Sequence, residues 1–371
     1  MNTPNETESN NPIAAPEQES MSRHSRRSFF KRSAMMGAGL AAAVGGASTL
    51  ASALAKPAFA AKAGAALGAV TPDLNAGDVA VLQFLAAAEL VESDLWGQYS
   101  ELASNNPSFN SALMQIKDTL PDYVNGDFAD ETSHANFINA FLVAAGKDPV
   151  NLDPFRTLPS VPVQGARQIG RLTNLTNLTV NTSYYDRYRS KGNPDFGDTF
   201  PQTVSIKNQP ALPTSNLIQG LDLLSIAQTA AFHFAAIEQG GSSLYNSLLT
   251  KVSDLNVVAI LASIGPTEVY HFAIFQEALE GIVGLQVPNG PLFPDISGRA
   301  NRGRITPHPC AFIDPSFPLC SVIRPRNTDT AGAVAAATGL VNSGLFEGQS
   351  AAFFDAVTAL ARAADAALRS V

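Results

Sequence analysis

The chain has 371 residues, of which 45% are hydrophobic, and its formal net charge is −8 from 24 Lys and Arg against 32 Asp and Glu. This acidic balance argues against nucleic acid and anionic membrane surfaces as partners. The length allows two domains, but one helical unit with insertions accounts for most of it.

The N-terminal segment has the pattern of a bacterial export signal. Arg26 and Arg27 form a twin-arginine pair, a weakly apolar Gly/Ala-rich stretch follows at 34–54, and Ala-Phe-Ala at 58–60 offers a small-x-small cleavage site. A membrane anchor is the alternative, because the apolar stretch approaches the ~20 residues that span a bilayer. Its weak hydrophobicity and the cleavage pattern favour removal after Ala60. We therefore predict a twin-arginine signal peptide at 1–60, and a periplasmic or secreted protein without a stable membrane anchor after processing.

Helix breakers and apolar periodicity predict four long helices. The first spans about 77–103, the second lies within 107–145 with a break near Pro121 and Asn125-Gly126, the third spans 215–249 and the fourth 255–284. Stretches within them are apolar almost all round, which is typical of helices inside a bundle. A long crossover at 146–214, with a short strand pair near 172–185, joins the second helix to the third.

Acidic residues interrupt these apolar helices, and two of them are followed three positions later by a histidine. The order is Glu89, then Glu131 with His134, then Glu238, then Glu268 with His271. Three residues turn a helix by ~300°, so the two members of each Glu-x-x-His pair project from one face. Each pair can therefore hold one side of a common site.

The spacing along the chain predicts that the glutamates lie at one level. Residues that face each other across an antiparallel helix hairpin are about equally far from its turn. The midpoint between Glu238 and Glu268 is Ser253, within a plausible connector at 250–256. The midpoint between Glu89 and Glu131 falls beside the turn-forming run 104–108.

This residue set predicts a site for two metal ions. Divalent iron or manganese takes carboxylate oxygens and imidazole nitrogens, and two neighbouring ions need shared carboxylates to balance their charge in an apolar core. The predicted ligands are Glu89, Glu131, His134, Glu238, Glu268 and His271. Glu92, one turn after Glu89, and Tyr270 are predicted to lie beside the ligands. The alternative is a helical bundle with solvated surface carboxylates.

These motifs resemble the ferritin-like domain of plant desiccation-related proteins and their bacterial relatives. The likeness is carried by 85–96, 130–137, 238–245 and 266–271, and it covers about residues 75–285. It implies an all-α fold with a ferritin-like four-helix bundle at 61–285, including a long crossover between helices 2 and 3. Trp96 stands where ferritins and their relatives often carry tyrosine, so the resemblance does not extend to a phenol at this position.

Three classes of function follow from the resemblance and the ligands. The first is an oxidoreductase that turns over hydrogen peroxide or oxygen in stress defence, with catalase-like or peroxidase-like activity. The second is metal sequestration, and the third is a non-catalytic protein that protects other molecules during drying and has a structural metal site. Structural sites are closed by protein ligands, whereas six ligands shared by two ions leave positions open, which favours the first class. Formation of a homo-oligomer stays open.

The C-terminal part, 286–371, is predicted to be a Pro-rich segment followed by a helix that packs on the bundle. That helix is predicted at about 349–369, with Phe353 and Leu368 on its apolar face, and another helix is an alternative for 331–339. Cys310 and Cys320 lie in the Pro-rich segment, where an oxidising compartment favours a disulfide that closes the short loop. A Cys/His metal site is the alternative, and it lacks a third and a fourth ligand.

Overall fold

The computed structural model describes residues 73–188, 200–297, 309–322 and 332–370. This part of the chain is mostly helical, which confirms the all-α prediction at that level. The predicted signal peptide, with Arg26, Arg27 and the cleavage site after Ala60, lies outside the described residues. The helices are, in chain order, α1 Ala76–Asn105, α2 Pro107–Ile116, α3 Leu120–Ala144, α4 Ser183–Arg187, α5 Gly220–Leu249, α6 Leu255–Ala278, α7 Ala333–Asn342 and α8 Ala351–Asp365.

The strands in the described residues are short and occur as antiparallel pairs. They are β1 Leu178–Val180 with β2 Ile206–Gln209, β3 Leu285–Gln286 with β4 Leu292–Phe293, and β5 Pro309–Cys310 with β6 Cys320–Ser321. The strand pair predicted at 172–185 is only half correct. One strand lies there, but its partner comes from 206–209, because a helix rather than a returning strand follows β1.

Asparagine side chains set the bounds of the first two helices. Asn75 accepts a hydrogen bond from the Asp78 amide at 2.8 Å and begins α1, close to the predicted start. Asn106 ends α1 and begins α2, where its side chain accepts from the Phe109 amide at 3.0 Å and Pro107 occupies the first turn. The turn predicted near 104–108 is therefore the junction of two helices.

The predicted break near Pro121 and Asn125-Gly126 is wrong, because the helix break falls at 117–119 instead. Pro121 lies in the first turn of α3, where a missing backbone N–H costs nothing. Asn125 stays helical, and its side chain accepts hydrogen bonds from the hydroxyls of Ser100 and Ser104 on α1. A residue typical of turns thus serves to join α3 to α1.

The four long helices pack as two pairs, α1 with α3 and α5 with α6. Each of them contributes to two separate apolar cores. On α1 the residues up to Ala86 belong to one core and those from Ala87 onward to the other, and on α6 the change falls between Ile264 and Phe272. The predicted glutamates lie at this boundary, so a polar layer separates the two apolar cores.

Among the described residues, two helices, Gly220–Leu249 and Leu255–Gly281, have the length and composition to cross a membrane. Such a match is weak evidence, because the core helices of soluble proteins pass the same test. The most apolar windows of these helices are 78% and 44% buried inside the protein, and both helices carry buried carboxylates.

The crossover is anchored to α1 by a buried carboxylate. Asp94 accepts hydrogen bonds from the amides of Leu172 and Thr173, both at 3.0 Å, and from the Thr173 hydroxyl at 2.7 Å. Arg156 pairs with the other Asp94 oxygen at 2.6 Å. Because these donors belong to the long connection, Asp94 fixes its path across the outside of α1.

We expect Asp94→Ala to destabilise the protein by about 3 kcal/mol or more, since it leaves an arginine and two buried amides without their acceptor. Asp153→Ala is the matched control, because the exposed Asp153 carboxylate pairs with the same arginine. An ion pair with an exposed carboxylate should contribute less than about 1 kcal/mol to the free energy of unfolding. Urea unfolding of both variants measures the difference. Equal losses in the two variants would contradict the role of Asp94.

The C-terminal helices lie close to their predicted positions. Phe353 of α8 is buried as predicted, whereas Leu368 is 82% exposed, because α8 ends at Asp365 and Leu368 lies beyond the helix. Cys310 and Cys320 face each other as a direct cross-strand pair. Cross-strand neighbours are within the Cα separation that a disulfide bridges, so the predicted bond between them stays a prediction.

Candidate metal centre

The six side chains predicted as ligands converge in the polar layer between the two cores. Each of the four long helices contributes to this cluster, and every member is buried. Exposure is 0% for Glu131, Glu238 and Glu268, 1% for Glu89, 4% for His271 and 9% for His134. These carboxylates are therefore not solvated surface groups, which was the alternative considered from the sequence.

One group of ligand atoms surrounds His134, and we call it the His134 centre. It comprises Glu89, Glu131, His134 and Glu268, whose ligand atoms all lie within 4.8 Å of one another. The Nδ1 atom of His134 is 3.3 Å from Glu131 and 3.4 Å from both Glu89 and Glu268. Three carboxylates and one imidazole thus face a common point.

A second group, the His271 centre, comprises Asp127, Glu131, Glu238 and His271, again within 4.8 Å of one another. The Nδ1 atom of His271 is 2.8 Å from Asp127, 3.2 Å from Glu131 and 3.3 Å from Glu238. Glu131 belongs to both centres, and its Oε2 faces His134 while its Oε1 faces His271. One carboxylate therefore lies between two ligand sets.

Many polar atoms of the cluster lack a hydrogen-bond partner among the described residues. They are Oε2 of Glu89, both oxygens of Asp127, Oε1 of Glu131, Oε2 of Glu238, both oxygens of Glu268 and Nδ1 of His271. Buried carboxylate oxygens without donors carry a large desolvation cost unless a proton or a cation neutralises them. These Glu/His clusters could hold a metal ion, and the unpartnered atoms fit that use.

Three residues that were not predicted as part of the site take part in it. Asp127 is a member of the His271 centre, and Trp96 Nε1 donates to Glu238 Oε1 at 3.0 Å. The Tyr245 hydroxyl donates to Glu89 Oε1. A signal existed for each: Asp127 precedes Glu131 by four residues, and each aromatic follows a lone glutamate by seven, on the same helix face.

Of the two residues predicted to lie beside the ligands, Glu92 does so and Tyr270 does not. Glu92 offers an oxygen within 4.8 Å of ligand atoms from Glu131, Glu238 and Glu268, so it does adjoin the site. Tyr270 does not, because its side chain is 55% exposed. Consecutive residues on a helix point about 100° apart, so the neighbour of the inward His271 faces solvent.

Most carboxylates of the cluster retain protons more strongly than ordinary acids, and Glu89, whose pKa is lowered, is the exception. Burial raises the pKa of Glu238 and of Glu268 to about 8, and that of Asp127 to about 6. Burial and then the charge of Glu268 raise the pKa of Glu131 well above its usual range. Without a cation, protons therefore balance the charge here at neutral pH.

The histidines are held in their charged form by the same carboxylates. Burial opposes protonation of His134, but the nearby carboxylates of Glu131, Glu268 and Glu89 prevail and raise its pKa to about 12. Burial also opposes protonation of His271, but the charge of Asp127 helps to raise its pKa far above the usual range. The cluster thus supplies the counter-charge for a cation.

No family model matches this chain, and comparisons with curated proteins and with solved structures return no match either. The resemblance to the ferritin-like desiccation-related proteins therefore stays a prediction from the motifs.

Proposed function

We propose that this chain is an exported dimetal-carboxylate protein that acts as an oxidoreductase on hydrogen peroxide or oxygen. The observation that carries the proposal is the position of Glu131, which presents one oxygen to each of two centres. A single carboxylate between two sets of one imidazole and two further carboxylates suits a pair of cations better than one.

We also propose that α1, α3, α5 and α6 form a ferritin-like bundle, related to the bundles of desiccation-related proteins. The pairing of α1 with α3 and of α5 with α6 supports this, as does the long connection from 145 to 219 between the pairs. Ferritin-like di-iron proteins take a glutamate from each of two helices and a Glu-x-x-His pair from each of the other two. The same distribution occurs here.

The donor set favours iron or manganese. Each centre offers carboxylate oxygens and one imidazole nitrogen, whereas structural zinc sites use mainly thiolate and imidazole. The residues that would hold the ions are Glu89, Glu131, His134, Glu268, Asp127, Glu238 and His271. When bound, a metal pair supplies two adjacent Lewis-acid and redox centres with positions open to a small oxidant.

The surrounding side chains orient the carboxylates and exclude water. Tyr245 donates to Glu89, and Trp96 donates to Glu238, so one oxygen of each lone glutamate is fixed by a partner on another helix. Trp96 stacks on Phe275 with ring centroids 5.0 Å apart and closes one side of the layer. A site this buried suits peroxide or oxygen better than a large substrate.

Export is part of the proposal, and its support is the pattern of Arg26, Arg27 and the Ala-Phe-Ala run at 58–60. The twin-arginine machinery would carry the chain to the periplasm or beyond it.

Metal analysis of the protein purified from the exported fraction, followed by assays with hydrogen peroxide, tests the proposal. Two manganese ions with oxygen release indicate catalase activity, and two iron ions with peroxide-dependent oxidation of a reductant indicate peroxidase activity. Bound metal without turnover of peroxide or oxygen overturns the oxidoreductase in favour of a structural site in a protective protein or metal sequestration. Absence of bound metal overturns the dimetal site itself.

Proton release on metal binding gives a pH prediction. Because the folded pKa values of Glu238 and Glu268 are about 8, the metal-free folded protein holds protons that the unfolded chain has released above about pH 4.5. Its stability should therefore fall as pH rises from 5 to 8, by roughly 1.4 kcal/mol per proton per pH unit. The raised histidine pKa values act in the same direction above their unfolded value of 6.5.

Metal ions replace these protons, so added Mn²⁺ should raise the melting temperature more at pH 8 than at pH 6. Glu89, whose pKa is lowered, acts in the opposite direction only below about pH 4.5 and does not disturb this window. Thermal unfolding at both pH values, with Mn²⁺ and with a chelator, measures the effect. An equal gain at the two pH values would contradict it.

A further inference from the structure

The two centres match in ligand number but differ in what lies behind their histidines. Each has one imidazole and three carboxylates, one of them shared. Behind His271, the outer nitrogen Nε2 is 3.1 Å from Oδ2 of Asp130. Asp130 is 55% exposed and is not a member of either centre.

In the part of the chain that the structure describes, His134 has no equivalent partner. Its hydrogen bonds and ion pairs all involve Nδ1, which faces Glu89, Glu131 and Glu268. Within the described ranges, no carboxylate lies at ion-pair distance from its Nε2. This difference between the two histidines arises from the packing of α3 against α6. Asp130 lies on α3, four residues before His134, but its carboxylate contacts His271 of α6.

A carboxylate on the outer nitrogen changes a histidine as a ligand. It fixes the tautomer with hydrogen on Nε2, leaves the Nδ1 lone pair directed at the cation, and makes the imidazole more basic. Among the described residues, Asp130 does this for His271, and no carboxylate does so for His134. Removal of such outer partners typically weakens metal binding 10- to 100-fold.

The distances within the two centres agree with this difference. The nearest carboxylate oxygen to Nδ1 is at 2.8 Å in the His271 centre and at 3.3 Å in the His134 centre. Exposure follows the same order, 4% for His271 against 9% for His134. The His271 centre is thus the more compact and the more enclosed.

We propose that the two cation positions are unequal, that the His271 centre fills first and holds its ion tightly, and that the His134 centre fills second and exchanges its ion. Asp130 is the positioning residue that creates the difference. This inference rests on the proposed dimetal site and adds an order of loading to it. A protein loaded with one equivalent of metal then carries it at the His271 centre.

Calorimetric titration of the metal-depleted full chain with Mn²⁺ tests the order of loading. We expect two binding classes whose dissociation constants differ at least tenfold. Asp130→Asn should weaken the tight class 10- to 100-fold and leave the other class unchanged. Asp122→Asn is the matched control, because it removes the same charge from an exposed position on the same helix and should change neither class.

Two ligand variants assign the classes to the centres. His134→Gln should abolish the weak class and keep the tight one, and His271→Gln should do the reverse. Thermal unfolding of the metal-free variants verifies that each is folded. Two equal classes, an Asp130→Asn titration identical to that of Asp122→Asn, or loss of the tight class in His134→Gln would each overturn the inference while the dimetal site stands. If the wild-type protein binds no Mn²⁺ or Fe²⁺ at all, the proposed function fails first.

Discussion

Glu131→Gln is expected to weaken binding strongly at both metal positions, although it changes one atom of one side chain. Glu131 is the only residue that belongs to both the His134 and the His271 centres, and it is fully buried. The amide keeps the shape of the carboxylate but removes its charge and one of the two oxygens that face the histidines. We expect both apparent affinities to fall by roughly 100-fold or more, since changes even outside the ligand set cost 10- to 100-fold.

Metal content after purification and Mn²⁺ titration measure this loss. Glu277→Gln is a suitable control, since that glutamate is 65% exposed and forms a 3.6 Å surface pair with Lys117. It should bind metal like the wild type. A Glu131→Gln protein that retains two ions would contradict the shared position of this carboxylate.

The level at which the glutamates meet could be predicted because it follows from local rules. Apolar periodicity gives the helices, helix geometry places Glu131 and His134 on one face, and equal distances from a turn align Glu238 with Glu268. The last argument held because a short connector, 250–254, does join α5 to α6. The same argument held for Glu89 and Glu131 although a further helix, α2, lies between their helices.

The side chains that surround the ligands could be predicted less well than the ligands themselves. Helix spacing places Asp127 on the face of Glu131, but only the packing of α3 against α6 decides which centre Asp127 joins and brings Asp130 to His271. The hydrogen bonds of Trp96 to Glu238 and of Tyr245 to Glu89 each join two helices that are distant in sequence. The spacing of seven places each aromatic on the same face as a ligand, but which glutamate it contacts depends on packing across the bundle.

The crossover shows the same limit. Asp94 stands on α1 and could be taken for a surface residue, but it is 4% exposed because the chain from 172 to 173 returns to it. The contact spans about 80 positions, and nothing in the local sequence of either partner indicates the other.

Gly241→Ala should weaken metal binding without harming the fold. A Cβ atom at this position of α5 would lie 2.8 Å from Oε2 of Glu268, closer than a carbon and an oxygen can approach. The end of a glutamate side chain moves easily, so the helix tolerates the methyl group while the carboxylate is displaced from the His134 centre. We expect the affinity of that centre to fall roughly tenfold or more.

The preceding residue provides the matched control, since a Cβ atom at Gly240 meets nothing within 4 Å. Both substitutions replace a glycine inside the same helix, which should stabilise the metal-free protein by about 0.5–1 kcal/mol where no contact opposes it. Gly240→Ala should therefore gain stability and bind metal like the wild type, whereas Gly241→Ala should lose affinity. Mn²⁺ titration together with urea unfolding of the metal-free variants separates the two effects. Only the methyl group of Gly241→Ala reaches Glu268. Equal affinities in the two variants would therefore show that Glu268 is not held against α5 in the way that the metal centre requires.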